Sequence, residues 1–223
     1  MVQKDILFDL VNDKKTVIDY RKLYPLAEDE DSEVRQFVAE LLARDHSFDS
    51  EIILVGFLKD EDELVRAEAA DSLSYYSGDN VLSALMSSCK DDESEIVRSY
   101  ALLSYWDVYF GDNPDISKES IAKTLSELNE FENSLLVKLE YAGLLYLCGD
   151  LDMLDYLLLE LNNSDHYIRN TVMNNLLKVS NEDNIHFIQE ALKPYYKNES
   201  VNFVKKKMGA VLCYSDDVLD SKK

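Results

Sequence analysis

The sequence is poor in everything that interrupts a helix. Three prolines and six glycines in 223 residues leave little material for linkers, and no low-complexity segment is visible. Long apolar runs are also missing. Charged and apolar residues alternate from Gln3 to Leu10, and no stretch reaches the length of a signal-peptide core or a membrane span, so a cytoplasmic chain without membrane contact is expected. Cys89, Cys148 and Cys213 are odd in number, far apart and set in apolar helix patterns, which fits reduced, buried, inert thiols and argues against a disulfide scaffold. His46, His166 and His186 are scattered, and there is no His-Glu-x-x-His, Cys-x-x-Cys, nucleophile elbow or phosphate loop. The acidic loops lack the glycine turn and final Glu of a calcium site. No enzyme activity, metal or cofactor is expected. Positive charge is scarce as well: 23 basic against 44 acidic side chains give a net charge of −21, which repels nucleic acid phosphates and anionic membranes and points to a basic partner.

What the chain does contain is a cassette repeated six times, a capping residue followed by a β-branched residue and then Arg or Lys. It reads Asp31-Ser32-Glu33-Val34-Arg35, Asp62-Glu63-Leu64-Val65-Arg66, Ser94-Glu95-Ile96-Val97-Arg98, Ser134-Leu135-Leu136-Val137-Lys138, Asp165-His166-Tyr167-Ile168-Arg169 and, degraded, Val201-Asn202-Phe203-Val204-Lys205. The basic residues are 31, 32, 40, 31 and 36 positions apart, the period of a helical hairpin. Apolar residues follow each β-branched position at helical spacing: Val38, Leu41 and Leu42; Ala69 and Leu73; Ala101 and Tyr105; Tyr141, Leu144 and Leu145; Val172 and Leu176; Met208, Val211 and Leu212. An amphipathic stretch precedes each of these helices as its partner, the first around Val17, Ile18 and Leu23. Gly78-Asp79, Gly111-Asp112 and Gly149-Asp150 fall where one helix should close and the next be capped. The long third step predicts an inserted loop at 111–118.

The Asp-x-x-Val-Arg-x-x-(Ala)-x-x-x-Leu pattern resembles HEAT repeats, in particular the short repeats of phycobilisome-lyase-type proteins. The resemblance covers roughly residues 16–215 and is carried most strongly by the first three cassettes; Lys138 and Lys205 replace Arg, and Tyr141 and Met208 the small residue, in the fourth and sixth. It implies an all-α fold, a right-handed α-solenoid of about six antiparallel helical hairpins. Expected is one domain over 1–223, with a cap helix at 1–14, carrying Asp5, Asp9, Asp13 and Lys14, and repeats near 15–45, 46–78, 79–111, 117–149, 150–181 and 182–215. In HEAT proteins the cassette arginine bridges adjacent repeats, the role implied for Arg35, Arg66, Arg98 and Arg169. The second helix of each hairpin lines the concave surface.

The capping Asp31, Asp62, Asp165, Ser94 and Ser134 are assigned to helix starts. Function is sought instead on the face opposite the buried stripe. A step of 100° per residue from Val65, Ala69, Leu73 and Tyr76 places Glu68, Asp71 and Tyr75 there. Shifted by the repeat offsets, it gives Phe37, Glu40, Tyr100, Trp106, Asp107, Glu140 and Tyr146. Aromatics among carboxylates are the composition of a surface that binds protein. The expected function is non-catalytic capture of a basic protein or peptide, most concretely by an immunity or antitoxin-type inhibitor of a toxin, acting as a monomer or weak dimer. A general scaffold or adaptor is the alternative. HEAT-like DNA glycosylases also use concave Trp and Asp residues, to which Trp106 and Asp107 would correspond, but need a basic channel that this stripe lacks. A bilin lyase would need chromophore handling that shape alone does not supply.

Overall fold

The computed structural model describes residues 2–12, 18–112 and 117–213. Every regular element among the described residues is helical. Two compact units divide the chain, Met1–Ile116 and Ser117–Lys223. The first holds α1 (Val2–Asn12), α2 (Ser32–Leu42), α3 (Phe48–Phe57), α4 (Glu63–Ser72), α5 (Asp79–Asp91) and α6 (Glu95–Asp112). The second holds α7 (Lys118–Asn129), α8 (Leu135–Leu147), α9 (Asp152–Leu159), α10 (His166–Val179), α11 (Ile185–Asn198) and α12 (Asn202–Leu212).

The helices begin where the cassettes place capping groups. Asp31, Asp62 and Asp165 accept the amides of Glu33, Leu64 and Tyr167 at 3.0, 2.9 and 2.8 Å, and Ser134 accepts that of Val137 at 3.4 Å. Each such cap satisfies an amide with no partner inside its helix, and its loss costs about 1 kcal/mol. α8 stops at Gly149, whose φ of 110° is easily reached only without a side chain. There the Asp150 and Gly149 amides return to the carbonyls of Leu145 and Tyr146 at 3.1 and 2.9 Å. Gly78, at φ 103°, opens α5 in the same conformational region.

The β-branched position and the apolar residues after it form the core. Val34, Val38, Leu41 and Leu42, then Val65, Ala69 and Leu73, then Val97 and Ala101 are buried in the first unit, where α1, α2, α4 and α6 pack in succession. In the second unit α8, α10 and α12 pack in succession through Leu139, Val172, Met173, Leu176, Val204 and Met208. Tyr105 and Leu212, expected in this set, are half-buried.

The arginines bridge consecutive cassettes within a unit. Arg35 donates from Nε and Nη2 to both Asp60 carboxylate oxygens at 2.7 Å, and from Nη1 to the Asp29 carbonyl at 2.7 Å. Arg66 repeats this with Asp92, at 2.9 and 3.1 Å, and the Asp60 carbonyl at 2.9 Å. Arg169 does so with Glu199, at 2.7 and 2.9 Å, and the Asn163 carbonyl at 2.9 Å. In every case the carbonyl belongs to the residue six positions earlier; Arg98 and Lys205 contact the matching carbonyls of Asp92 and Glu199 at 2.9 and 3.1 Å. The side chain at that residue also accepts the amide two positions on, as Asp29, Asp60, Asp92, Glu132, Asn163 and Glu199 do from Asp31, Asp62, Ser94, Ser134, Asp165 and Val201. One acid therefore shapes its own loop and holds the preceding arginine. Burial pushes the Asp60 carboxyl up, but the Arg35 guanidinium bonded to it carries it below its ordinary value.

Some expected elements differ. The first partner helix is replaced by two 3-10 turns, Tyr20–Lys22 and Tyr24–Glu28; Pro25 sits in the first turn of the second. Gly111 lies inside α6 rather than between helices. Cys89 is buried, but Cys148 is half-buried and Cys213 exposed. Asp13, Lys14 and Val17 of the expected end cap and first partner helix, and 113–116 of the expected insertion, lie outside the described residues.

Candidate protein-binding groove

The second-helix face of the first unit gathers five of the ten expected surface residues. Glu40 from α2, Glu68 and Asp71 from α4, and Tyr75 from the 3-10 turn after α4 line a cavity of 460 Å³, together with Arg44, His46 and Ser72. An adjoining cavity of 170 Å³ shares Glu68 and Asp71 and adds Gln36, Leu64, Ala67, Ile96 and Tyr100. Phe37 is half-buried, edge-on to Phe8 of α1 at a ring separation of 6.0 Å. Asp107 on α6 is exposed, and its charge acts on Asp71.

The groove is fixed by bonds between the ends of α2 and α4. Tyr76 donates its hydroxyl to the Leu42 carbonyl at 2.6 Å, and Ser72 donates to the Ala39 carbonyl at 3.0 Å. Burial pushes the Tyr76 phenol up to about 12, so it remains a donor across the physiological range. His46 Nδ1 lies 3.1 Å from the Tyr75 carbonyl and carries the proton of that bond. His46 reaches it from a left-handed backbone conformation, φ 54°, uncommon for a residue with a side chain.

Electrostatically the groove is a carboxylate cluster without an ion-pair partner among the described residues. Burial, with the charges of Glu40 and Asp71, raises the Glu68 carboxyl to about 7, the Gln36 side chain offsetting part of this. Burial and the Asp107 charge raise Asp71. Arg44 is the cation in the lining, yet its Nη1 and Nη2 donate to the Leu10 and Val11 carbonyls at 3.4 and 2.8 Å, near the end of α1. Among the described residues no ion pair reaches Glu40, Glu68, Asp71 or Asp107. Residues 1–116 hold 27 of the acidic and 11 of the basic side chains, so most of the excess negative charge belongs to the unit with the groove. Among the described residues no group of three or more His, Cys, Asp or Glu is arranged for a metal ion.

Three expected surface residues have other places. Trp106 is 1% exposed, packed against the rings of Tyr105, Tyr109 and Phe110, and its indole N–H has no hydrogen-bond partner among the described residues. The offset rule fails there because α6 continues as a helix where α4 has already passed into a 3-10 turn at Leu73. This burial removes the Trp106 and Asp107 pair as a nucleotide-handling device. Glu140 belongs to the second unit and is also buried, because α8 is enclosed on every side from Leu139 to Leu145. Its Oε2 accepts from Asn175 Nδ2 at 3.0 Å, and burial raises its carboxyl to about 7. Tyr146, half-buried on the same helix, accepts a bond from Asn184 Nδ2 at 2.8 Å and so secures the loop before α11.

Leu64 and Ile96 were missed as lining residues. Each directly precedes the buried valine of its cassette and is 51% and 36% exposed, respectively. The available signal was an apolar residue at a position outside the helical stripe.

A family model of HEAT repeats matches residues 20–105, a span that contains the whole lining of both cavities. Over that span the chain carries HEAT repeats. The all-helical structure agrees with a HEAT α-solenoid, and the repeats give the chain the build of a protein-interaction scaffold. No curated protein matches the sequence. No helix among the described residues is long and apolar enough to cross a membrane.

Proposed function

We propose that the HEAT repeats of the first unit capture a basic protein in the acidic groove, and that the chain acts by occupying that partner rather than by catalysis. The observation that carries this reading is the carboxylate cluster of Glu40, Glu68 and Asp71, which no cation neutralises among the described residues, beside the exposed rings of Tyr75 and Tyr100. Like charges held together raise one another's proton affinity and destabilise the ionised fold, a cost that an incoming cation reverses. The surrounding negative field accelerates encounter with a basic protein, and aromatic side chains at the centre slow its escape. An immunity or antitoxin-type inhibitor of a basic toxin is the most concrete member of this class, since fast capture is what such an inhibitor needs.

A scaffold with more than one partner is the second reading. It is favoured by the second unit's exposed Tyr167 and Phe203, which flank His166 at ring separations of 4.2 and 5.7 Å.

Affinity capture from the native host with the intact chain, in parallel with a Glu68→Gln, Asp71→Asn variant, tests the proposal. A basic protein should be retained by the native chain, released by salt and absent from the variant eluate. Recovery of the same proteins from both would refute the groove as the site. Rescue of cells producing the captured protein would separate inhibitor from scaffold.

A further inference from the structure

The two cavities are different in chemistry and joined through two residues. The larger is lined by Glu40, Glu68 and Asp71; the smaller adds Leu64, Ala67, Ile96 and Tyr100. Building on the reading of this groove as a protein-docking surface, we infer that it recognises a Lys or Arg side chain with a bulky apolar residue beside it, the cation among the carboxylates and the apolar group against Leu64, Ile96 and Tyr100.

Each half of this recognition has its own support. Among the described residues the carboxylate half has no ion-pair partner: the guanidinium of Arg44, which shares the lining, donates to the carbonyls of Leu10 and Val11. A cation entering there gains hydrogen bonds to carboxylates in a partly dehydrated setting, where such bonds are stronger than in water. The apolar half exposes 51% of Leu64, 36% of Ile96 and 42% of Tyr100, contributed by two consecutive second helices. Its 170 Å³ is close to the roughly 150 Å³ of an engineered protein cavity that holds benzene, room for one Leu-sized or ring-sized group. Glu68 and Asp71 line both spaces, so a ligand filling the smaller one carries its cation a short distance away. A plain polycation would leave the apolar half open to water. A plain apolar helix would bury the carboxylates without a partner, a costly outcome.

Fluorescence anisotropy of three labelled synthetic peptides with the full chain, at about 0.15 M salt, tests this. The peptides share one glycine-spaced frame carrying Arg-Leu pairs, Arg-Ser pairs or Glu-Leu pairs. The Arg-Leu peptide should bind at least about tenfold more tightly than the Arg-Ser peptide, the change expected for an apolar side chain taken out of water. Glu-Leu should not bind. Leu64→Ser with Ile96→Ser should remove the difference between the two Arg peptides, and Glu68→Gln with Asp71→Asn should weaken both. Equal binding of the two Arg peptides to the native chain overturns the inference while leaving capture of basic proteins intact. Failure of both Arg peptides, or equal binding of Glu-Leu, overturns the inference and the docking function together. The native-chain comparison decides the matter even if a variant folds poorly.

Discussion

Replacing Glu140 with Gln should stabilise the protein above neutral pH and leave it nearly unchanged near pH 4. The carboxyl is 7% exposed, with Asn175 Nδ2 bonded to it at 3.0 Å. Burial raises it from 4.5 to about 7, against the opposing effects of the Asn175 bond and the Lys178 charge. A displacement of about 2.5 pH units at 1.36 kcal/mol per unit corresponds to roughly 3 kcal/mol. The sign follows from proton binding. Between the ordinary carboxylate value and about 7 the folded chain holds a proton that the unfolded chain has released, so stability falls as pH rises through that window and levels off above it. Gln keeps the shape and presents an amide oxygen to Asn175, but carries no charge to desolvate. The variant should therefore gain about 2–3 kcal/mol over the native chain near pH 8 and almost nothing near pH 4. Urea unfolding followed by circular dichroism at both pH values, with the two proteins in parallel, measures this, because other titrating groups cancel in the difference. An equal gain at both pH values, or none near pH 8, would refute the reasoning.

Other outcomes follow from the same contacts. Arg66→Ala leaves the buried Asp92 carboxylate without its bidentate partner and should cost about 3–5 kcal/mol in urea unfolding. Gly143→Ala would set its new Cβ 2.0 Å from Asn175 Oδ1, a close approach that should cost about 1–3 kcal/mol by thermal melt. Trp106→Ala should lower stability by roughly 3–5 kcal/mol as a core truncation. The exposed Tyr75 and Tyr100, changed to Ala, should instead weaken partner binding by more than about 2 kcal/mol at a hot spot while leaving the melt within about 0.5 kcal/mol of native. Cation binding favours the ionised form of Glu68, so calorimetric affinity for the captured basic protein should rise as pH passes through about 7, and Glu68→Gln should flatten that profile.

Much of the fold was legible because a pattern repeated every hairpin is constrained at each repeat. Val34, Val65 and Val97 could be assigned to one buried position, and Asp31, Asp62 and Asp165 to one cap, before any helix was seen. The partners of the arginines were harder to find. Asp60, Asp92 and Glu199 stand two residues before the cap position, where each also shapes its own loop, and only the packing of one cassette on the next brings them to the preceding arginine. The groove was half legible. Glu40, Glu68, Asp71, Tyr75 and Tyr100 meet as the helical repeat implies, because α2, α4 and the start of α6 keep one spacing. Trp106 and Glu140 did not follow, since a helical wheel carries angle but neither helix length nor the number of neighbours. The longer α6 and the enclosed α8 are settled by packing.

The arginine ladder also has a consequence for how the array can change in length. Residues 60–91 begin with the acid that receives Arg35 and contain Arg66, which reaches the acid at the start of the next segment. A second copy of this segment inserted in tandem would leave both copies of Arg66 facing an acid, whereas an inserted fraction of the period carrying the acid or the arginine alone would strand a buried charge. The ladder acts as a reading frame for duplication: it admits whole periods and rejects fractions, and each admitted period extends the row of second helices that carries the groove.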